Sequence, residues 1–374
     1  VPRPVKPEKL DYTVGMIVCS LWRNGHHRGW DPISAFYENR LLLGYYDEGI
    51  PELADWEIKY MTEHGIDFQM FCWFNSEKNS PICNTQLQEA LNDGYFKAKY
   101  ADEMKFCIIF EVANGISFTS ESFRKYIVPY WIDYFFTNPN YMTLENKLVI
   151  SAFGISKVYG MFGSPEKAKA EFEYLDDVAK SLGFDGIILI CNEDANDNTV
   201  RAGIDAVYEY NHGYNGYDEN STKNIICCKK SKNLVHVIPT LSVGYNEAAW
   251  RDFRAPMMST ETMGNLLSWF KTDALKNTFG NSEWKKKLVI MSTWNEFGEG
   301  TYMSPANLNG FGYLDEIRKA FAKDNSAPHK DIVPEKTQHD RICYLYPENR
   351  TRLCAQLKNT GAAYGMSVLK RYDF

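Results

Sequence analysis

The sequence predicts an α/β chain that closes into a (β/α)8 (TIM) barrel, and three observations carry that reading. Short apolar runs rich in β-branched residues alternate with segments of helical spacing, eight times in succession. The runs are apolar almost throughout, as strands of a parallel sheet covered on both faces must be. Acids, amides or aromatic residues follow most of them, at the points where the loops of such a barrel converge on one mouth.

The first strand is expected over 13–19, followed by a helix over 51–64 in which Leu53, Trp56, Tyr60 and Met61 recur at helical spacing; Gly65 ends it. Strands two, three and four fall at 66–73, 105–110 and 147–153. Between them lie a helix over 84–100 and a second that Ser120 caps and that runs to Phe136. Ser164 and Pro165 open a long helix to Leu182, since proline is favourable in a first turn. Strand five is read at 184–191, a short strand six at 203–209, strand seven at 234–241 and strand eight over the run 287–292. Helices over 262–279 and 311–321 complete the count, while 210–233 reads as loop. The organisation expected is a Pro-rich linker over 1–12, a catalytic barrel over 13–324, and a C-terminal extension over 325–374. That extension carries three prolines and is expected to pack on the barrel as an extended tail with one hairpin.

At 374 residues, 44% hydrophobic and 24% charged, the chain can bury a large core. A net charge of −7 leaves no basic footprint for nucleic acid, the longest basic piece being Lys285-Lys-Lys287. No apolar run reaches the length of a membrane span. None of the nine cysteines forms a Cys-x-x-Cys pair, which argues against zinc, and Cys72, Cys107 and Cys191 read as core thiols. Cys343 and Cys354 are close enough in sequence to bridge, although the odd total argues against a disulfide framework. The opening Val1-Pro-Arg-Pro with no initiator methionine suggests an exposed linker left after a removed leader or tag, so export to a periplasm or cell surface is the expectation and a cytoplasmic location stays open.

The chemistry concentrates in Ser292-Thr-Trp-Asn-Glu-Phe-Gly-Glu-Gly-Thr-Tyr302, directly after the last strand. Glu296 and Glu299 are three residues apart, a spacing that shares one face in a turn, and Gly298 and Gly300 permit a tight one. Glycoside hydrolysis needs two carboxyl groups, one protonated for the leaving oxygen and one ionised as base or nucleophile. The plainer alternative is a solvated loop, yet Trp294, Asn295, Phe297 and Tyr302 are costly on a surface and suit a sugar ring. Other strand ends contribute Trp22 and Arg23, Trp73 and Asn75, Glu111 and Asn114, Glu193, Glu209, Tyr245 and Arg254. No metal spacing, dinucleotide turn or nucleophile elbow is present, so no cofactor is expected. His26 and His27 read as solvent-exposed.

Trp294 to Pro305, followed by Gly312-Tyr-Leu-Asp-Glu-Ile-Arg318, resembles the closing motif of glycoside hydrolase family 99 and the wider family-99-like (WbsX-like) proteins of bacterial polysaccharide loci. Gly44-Tyr-Tyr-Asp47, His64-Gly-Ile-Asp67, residues 140–149 and Gly203-Ile-Asp-Ala-Val207 agree as well, so the resemblance spans about 13–321. It implies a retaining glycosidase acting on α-linked mannose-type residues of an oligo- or polysaccharide. Glu296 would deprotonate the sugar 2-hydroxyl and Glu299 would serve the leaving group as acid/base, through a 1,2-anhydro sugar. It also implies sugar contacts from Tyr46, Trp73 and Glu111. Phe297-Gly298 replaces the bulkier pair usual between the two acids, and the first loop departs from the mannose-binding pattern, which leaves rhamnose or another axial-2-hydroxyl sugar open. A glycosyltransferase or polysaccharide-assembly protein, and a glycan-binding barrel without turnover, are the competing readings. Oligomeric state is not legible.

Overall fold

The computed structural model describes residues 1–23, 29–30, 32–36, 40–74, 87–112, 118–212, 217–250, 256–276, 278–323 and 329–345. Its centre is a ring of parallel strands: β1 (Thr13–Val18), β2 (Phe68–Phe74), β3 (Lys105–Glu111), β4 (Lys147–Phe153), β5 (Ile187–Asn192), β6 (Ala206–Tyr208), β7 (His236–Val237), β8 (Thr240–Ser242) and β9 (Leu288–Ser292). The hydrogen-bonded order is β8-β9-β1-β2-β3-β4-β5-β6-β7. Residues 234–241, expected as one strand, make two. Pro239 has no N–H for the ladder, so the passage breaks there. β7 pairs with β6 and β8 pairs with β9. Across the break Ile238 N–H still donates to Val207 O at 2.9 Å, and Pro239 O accepts from Ile290 N at 3.1 Å. These two half-strands close the ring into the expected barrel.

The helical layer differs from expectation in four places. Residues 210–233 are not all loop, because α3 (Glu219–Ser231) crosses there after α1 (Pro51–Glu63) and α2 (Pro165–Ser181). Asp218 caps α3, accepting from Ser221 N at 2.9 Å, and Lys223 reaches back to Glu219 at 2.5 Å. The helix expected over 84–100 appears, among the described residues, as short turns at Ala90–Gly94, Tyr95–Lys97 and Ala101–Glu103. Asn92, Asp93 and Gly94 are poor helix formers, and Gly94 passes so close to the Glu48 carbonyl oxygen that an added Cβ would stand 2.5 Å from it. The run at 120–136 is capped by Thr119, not Ser120, in a reciprocal box with Ser122. α4 (Thr260–Trp269) winds on only to Ala274, and α5 (Gly312–Phe321) completes the ring.

The first twelve residues lie against the barrel, with Leu10 N–H donating to Phe321 O at 2.8 Å and Val5 N–H to Glu63 Oε1 at 3.1 Å. The described part of the C-terminal segment forms a helix, Lys336–Ile342, and a strand, Cys343–Leu345, that pairs antiparallel with Tyr45–Tyr46. The Cys343 thiol donates to Leu43 O at 3.1 Å, whereas Cys354 lies outside the described residues. No helix among the described residues is long and apolar enough to cross a membrane.

Side chains of β1 and β2 mesh where Gly15 faces Phe68; a Cβ on Gly15 would stand 2.5 Å from the ring. Gly15→Ala should therefore lower stability by about 1–3 kcal/mol through overpacking. Urea unfolding should report a lower midpoint at unchanged slope, and an unchanged midpoint would show that the ring yields freely.

Candidate active site

β9 is buried along its whole length and ends at Ser292, from which the chain turns out and back within a dozen residues. Trp294 N–H donates to Ile17 O at 2.7 Å, prolonging the β1 pairing, while Met303 N–H returns to Thr293 O and Ser304 N–H to Trp294 O, each at 2.9 Å. Thr293 Oγ1 locks the tip by accepting from Glu296 N at 2.8 Å and donating to Thr301 O at 2.6 Å. Gly300 adopts φ +65°, and a Cβ there would meet Asn246 at 2.7 Å. Gly298 lies under the indole of Trp250, which a Cβ would overlap. Both glycines are thus required by close approach of the β8 loop.

The two carboxyl groups are held by consecutive residues just past β6. Tyr210 OH donates to Glu296 Oε2 and Asn211 Nδ2 to Glu299 Oε2, both at 2.9 Å. Ser292 Oγ in turn donates to the Tyr210 carbonyl, tying β9 to this segment. Glu296 is buried, and its Oε1 has no hydrogen-bond partner among the described residues. Burial pushes its carboxyl above the ordinary glutamate range; hydrogen bonds from the Cys19 thiol and the Tyr210 hydroxyl pull the other way. Glu299 is half-buried, and its carbonyl accepts from Asn246 N at 2.6 Å. The arrangement is one sheltered carboxyl and a second, more accessible one on the same turn, which suits proton transfer at two neighbouring oxygens of one substrate.

Several residues read as sugar contacts do other work. Trp294 is fully buried and its indole N–H donates to Glu57 Oε1 at 2.8 Å, so it anchors the loop to α1. Trp73 packs outward on the helical layer, with ring centroids 5.9 Å from Tyr130 and 5.5 Å from Trp131. A strand alternates its faces, so Cys72 and Phe74 take the opposite side. Trp22, Tyr46 and Tyr302 belong to a buried aromatic cluster: Phe297 lies 4.9 Å from Trp22 and 5.0 Å from Tyr302, and Trp30 lies 5.0 Å from Tyr46. Asn295 is buried and accepts from Cys19 N at 2.7 Å, pinning the loop to the end of β1. Glu193 accepts from Asp194 N at 3.0 Å and its carbonyl accepts from Lys229, whose ammonium pairs with Glu209 at 2.5 Å. It therefore joins a charge cluster on α3. Glu111 is buried at the end of β3, beside Phe74 in register, and half-buried Tyr245 follows β8. Asn75, Asn114, His26, His27 and Arg254 lie outside the described residues.

Tyr210, Asn211, Cys19 and Glu57 escaped the sequence reading. Their signal was position: Tyr210 and Asn211 directly follow the strand-six residues, whose Glu209 alone was singled out. Burial pushes Glu57 up to about 7, against the hydrogen bond that Trp294 donates to it. Its folded-state value thus exceeds the ordinary 4.5, so the folded protein keeps a proton that the unfolded chain releases as pH rises through that window, and stability falls across it. Glu57→Gln should recover about 3 kcal/mol at high pH. Melting temperatures at about pH 5 and about pH 8 should converge in the variant relative to the parent, and an equal gap in both would contradict this assignment. Gly298→Ala should cost at least about tenfold in activity by displacing the loop against Trp250; full activity would contradict the tight fit.

The glycosyltransferase WbsX family model matches residues 214–317, from α3 through the two-carboxyl loop into α5. No curated protein sequence matches the chain. Among solved structures, the chain is similar to an endo-α-mannosidase of glycoside hydrolase family 99 from Bacteroides thetaiotaomicron in complex with bis-tris propane. Identity there is 16%, coverage is 83% of this chain and 96% of that one, and the TM-score is 0.59. A second structure of that enzyme gives 16% identity over 83% of this chain and 99% of that one, at TM-score 0.56. A glycoside hydrolase-like protein gives 14% identity over 86% and 97%, at TM-score 0.56. The chain thus carries the (β/α)8 fold of the family 99 endo-α-mannosidases, and its WbsX-family match falls on the segment that holds both carboxyl groups.

Proposed function

We propose that the protein is a retaining glycoside hydrolase that cleaves α-linked mannose-type residues, or other sugars with an axial 2-hydroxyl, in a polysaccharide or glycan. The observation that carries this reading is the pairing of Glu296 and Glu299 on one turn at a barrel strand end, each bonded by one of two consecutive residues. In the first step the Glu296 carboxylate removes the 2-hydroxyl proton. O2 then attacks the anomeric carbon while the glycosidic bond breaks, and Glu299 gives its proton to the departing oxygen. Water next adds at the anomeric carbon, losing its proton to Glu299, and the epoxide C1–O2 bond opens as Glu296 returns the proton to O2. Two inversions retain configuration. A base is most effective when its pKa approaches the working pH while it is still ionised, and the raised value of Glu296 acts in that direction.

A glycosyltransferase is the second reading, favoured by the description of the matching family model. Such an enzyme would need an activated sugar donor, and product analysis separates the two. Glu296→Gln and Glu299→Gln should each reduce cleavage of an α-linked mannan by about 10²–10⁴-fold. With an aryl glycoside, whose leaving group needs no proton, the Glu299 variant should recover much of its first-step rate and the Glu296 variant should not. Activity of the parent should fall as pH drops through the raised Glu296 value, because the base must be ionised. Unchanged cleavage in both variants would remove the assignment, and transfer from a nucleotide sugar without hydrolysis would replace it with the second reading.

A further inference from the structure

We propose that His64, Asp315, His329 and Asp331 form a divalent-metal site of zinc type that fastens the C-terminal segment to the barrel. Each offers one donor atom, and the four donors lie within 4.8 Å of one another. They come from three places: the turn after α1, the first turn of α5, and the segment beyond the barrel. His64 precedes β2, so the cluster lies toward the end of the barrel where strands begin, and Glu296 stands where they end.

His64 is the observation that points to an ion. It is fully buried, and its Nδ1 lies 2.6 Å from the Tyr60 carbonyl oxygen, a contact that requires Nδ1 to carry the proton. In the neutral ring the lone pair then sits on Nε2, which has no hydrogen-bond partner among the described residues. That nitrogen faces Asp331 Oδ1 at 3.3 Å and Asp315 Oδ1 at 3.6 Å. Donors bound tetrahedrally at zinc distances are about 3.4 Å apart, so both separations are close to the edge of such a tetrahedron. A backbone carbonyl on the remote imidazole nitrogen is also the usual support of a metal-bound histidine. His329 completes the set, with Nε2 2.9 Å from Asp331 Oδ1 and its ring edge-on to His64 at 4.6 Å.

Charge argues the same way. Two neutral imidazoles and two carboxylates balance one divalent cation, while the neighbouring carboxylate Glu63 is already held by Lys59 at 2.5 Å. Nitrogen and oxygen donors in a compact four-coordinate set suit zinc better than calcium or magnesium, which take more oxygens. The competing occupant is a proton: His64, charged, would pair with both aspartates. The two accounts differ in what the protein takes up.

The test uses tag-free protein stripped with a chelator, then dialysed against zinc and analysed for metal, with cobalt(II) as a spectroscopic probe. The expected result is one zinc per chain, a tetrahedral cobalt spectrum, and a melting temperature that rises with zinc concentration. His329→Ala and Asp331→Asn, both on the C-terminal segment and outside the strand ring, should bind zinc at least about 100-fold more weakly and lose the zinc-dependent rise. Their circular dichroism should match the parent. Substoichiometric uptake by the parent, melting indifferent to zinc, or variants that bind as the parent does would each overturn the proposal, the first two in favour of the proton.

Discussion

A carboxyl group taken out of water needs compensation, and the groups bonded to Glu296 are neutral: the Tyr210 hydroxyl, the Cys19 thiol, and Thr293 on its backbone N–H. That choice keeps the group responsive. A lysine or arginine in the same place would hold it ionised and make it a poor proton acceptor. Much of the surrounding structure serves this arrangement. Asn295 ties the loop to β1, Ser292 ties it to the residues past β6, and Trp294 plugs it into α1 through Glu57. Three elements therefore converge on one loop, and the geometry of the pair is inherited from the barrel as a whole.

The strand positions were legible in the sequence because parallel barrel strands are covered on both faces and read as apolar runs; β4 falls on the residues expected, 147–153. The break in the seventh strand was signalled by Pro239, but a proline does not say that the half-strands on either side will serve different neighbours. α3 was missed since Asn220, Ser221 and Thr222 are weak helix formers, and its stability comes from the Asp218 cap and from packing that a local reading does not see.

The aromatic residues taught the larger lesson about the site. Trp22, Trp73 and Trp294 lie at or just past barrel strand ends, and they, like Tyr46 and Tyr302, are almost fully buried. Sequence position places a residue at the mouth without saying which way it turns, and in a barrel the outward parity leads into the helical layer. The acids were clearer, because two glutamates among glycines on a short out-and-back loop have few ways to diverge. Their partners Tyr210 and Asn211 are more than eighty positions away, and such pairing is set by topology alone.

The central claim is that Glu296 and Glu299 act together on one sugar ring, and the most direct measurement is a crystal structure of the Glu299→Gln protein soaked with an α-linked mannooligosaccharide. The account predicts a ring with its 2-hydroxyl within hydrogen-bond distance of Glu296 and its glycosidic oxygen beside residue 299. A glycan bound away from both carboxyl groups, or none bound at the strand ends under conditions where the parent protein cleaves it, would contradict the account.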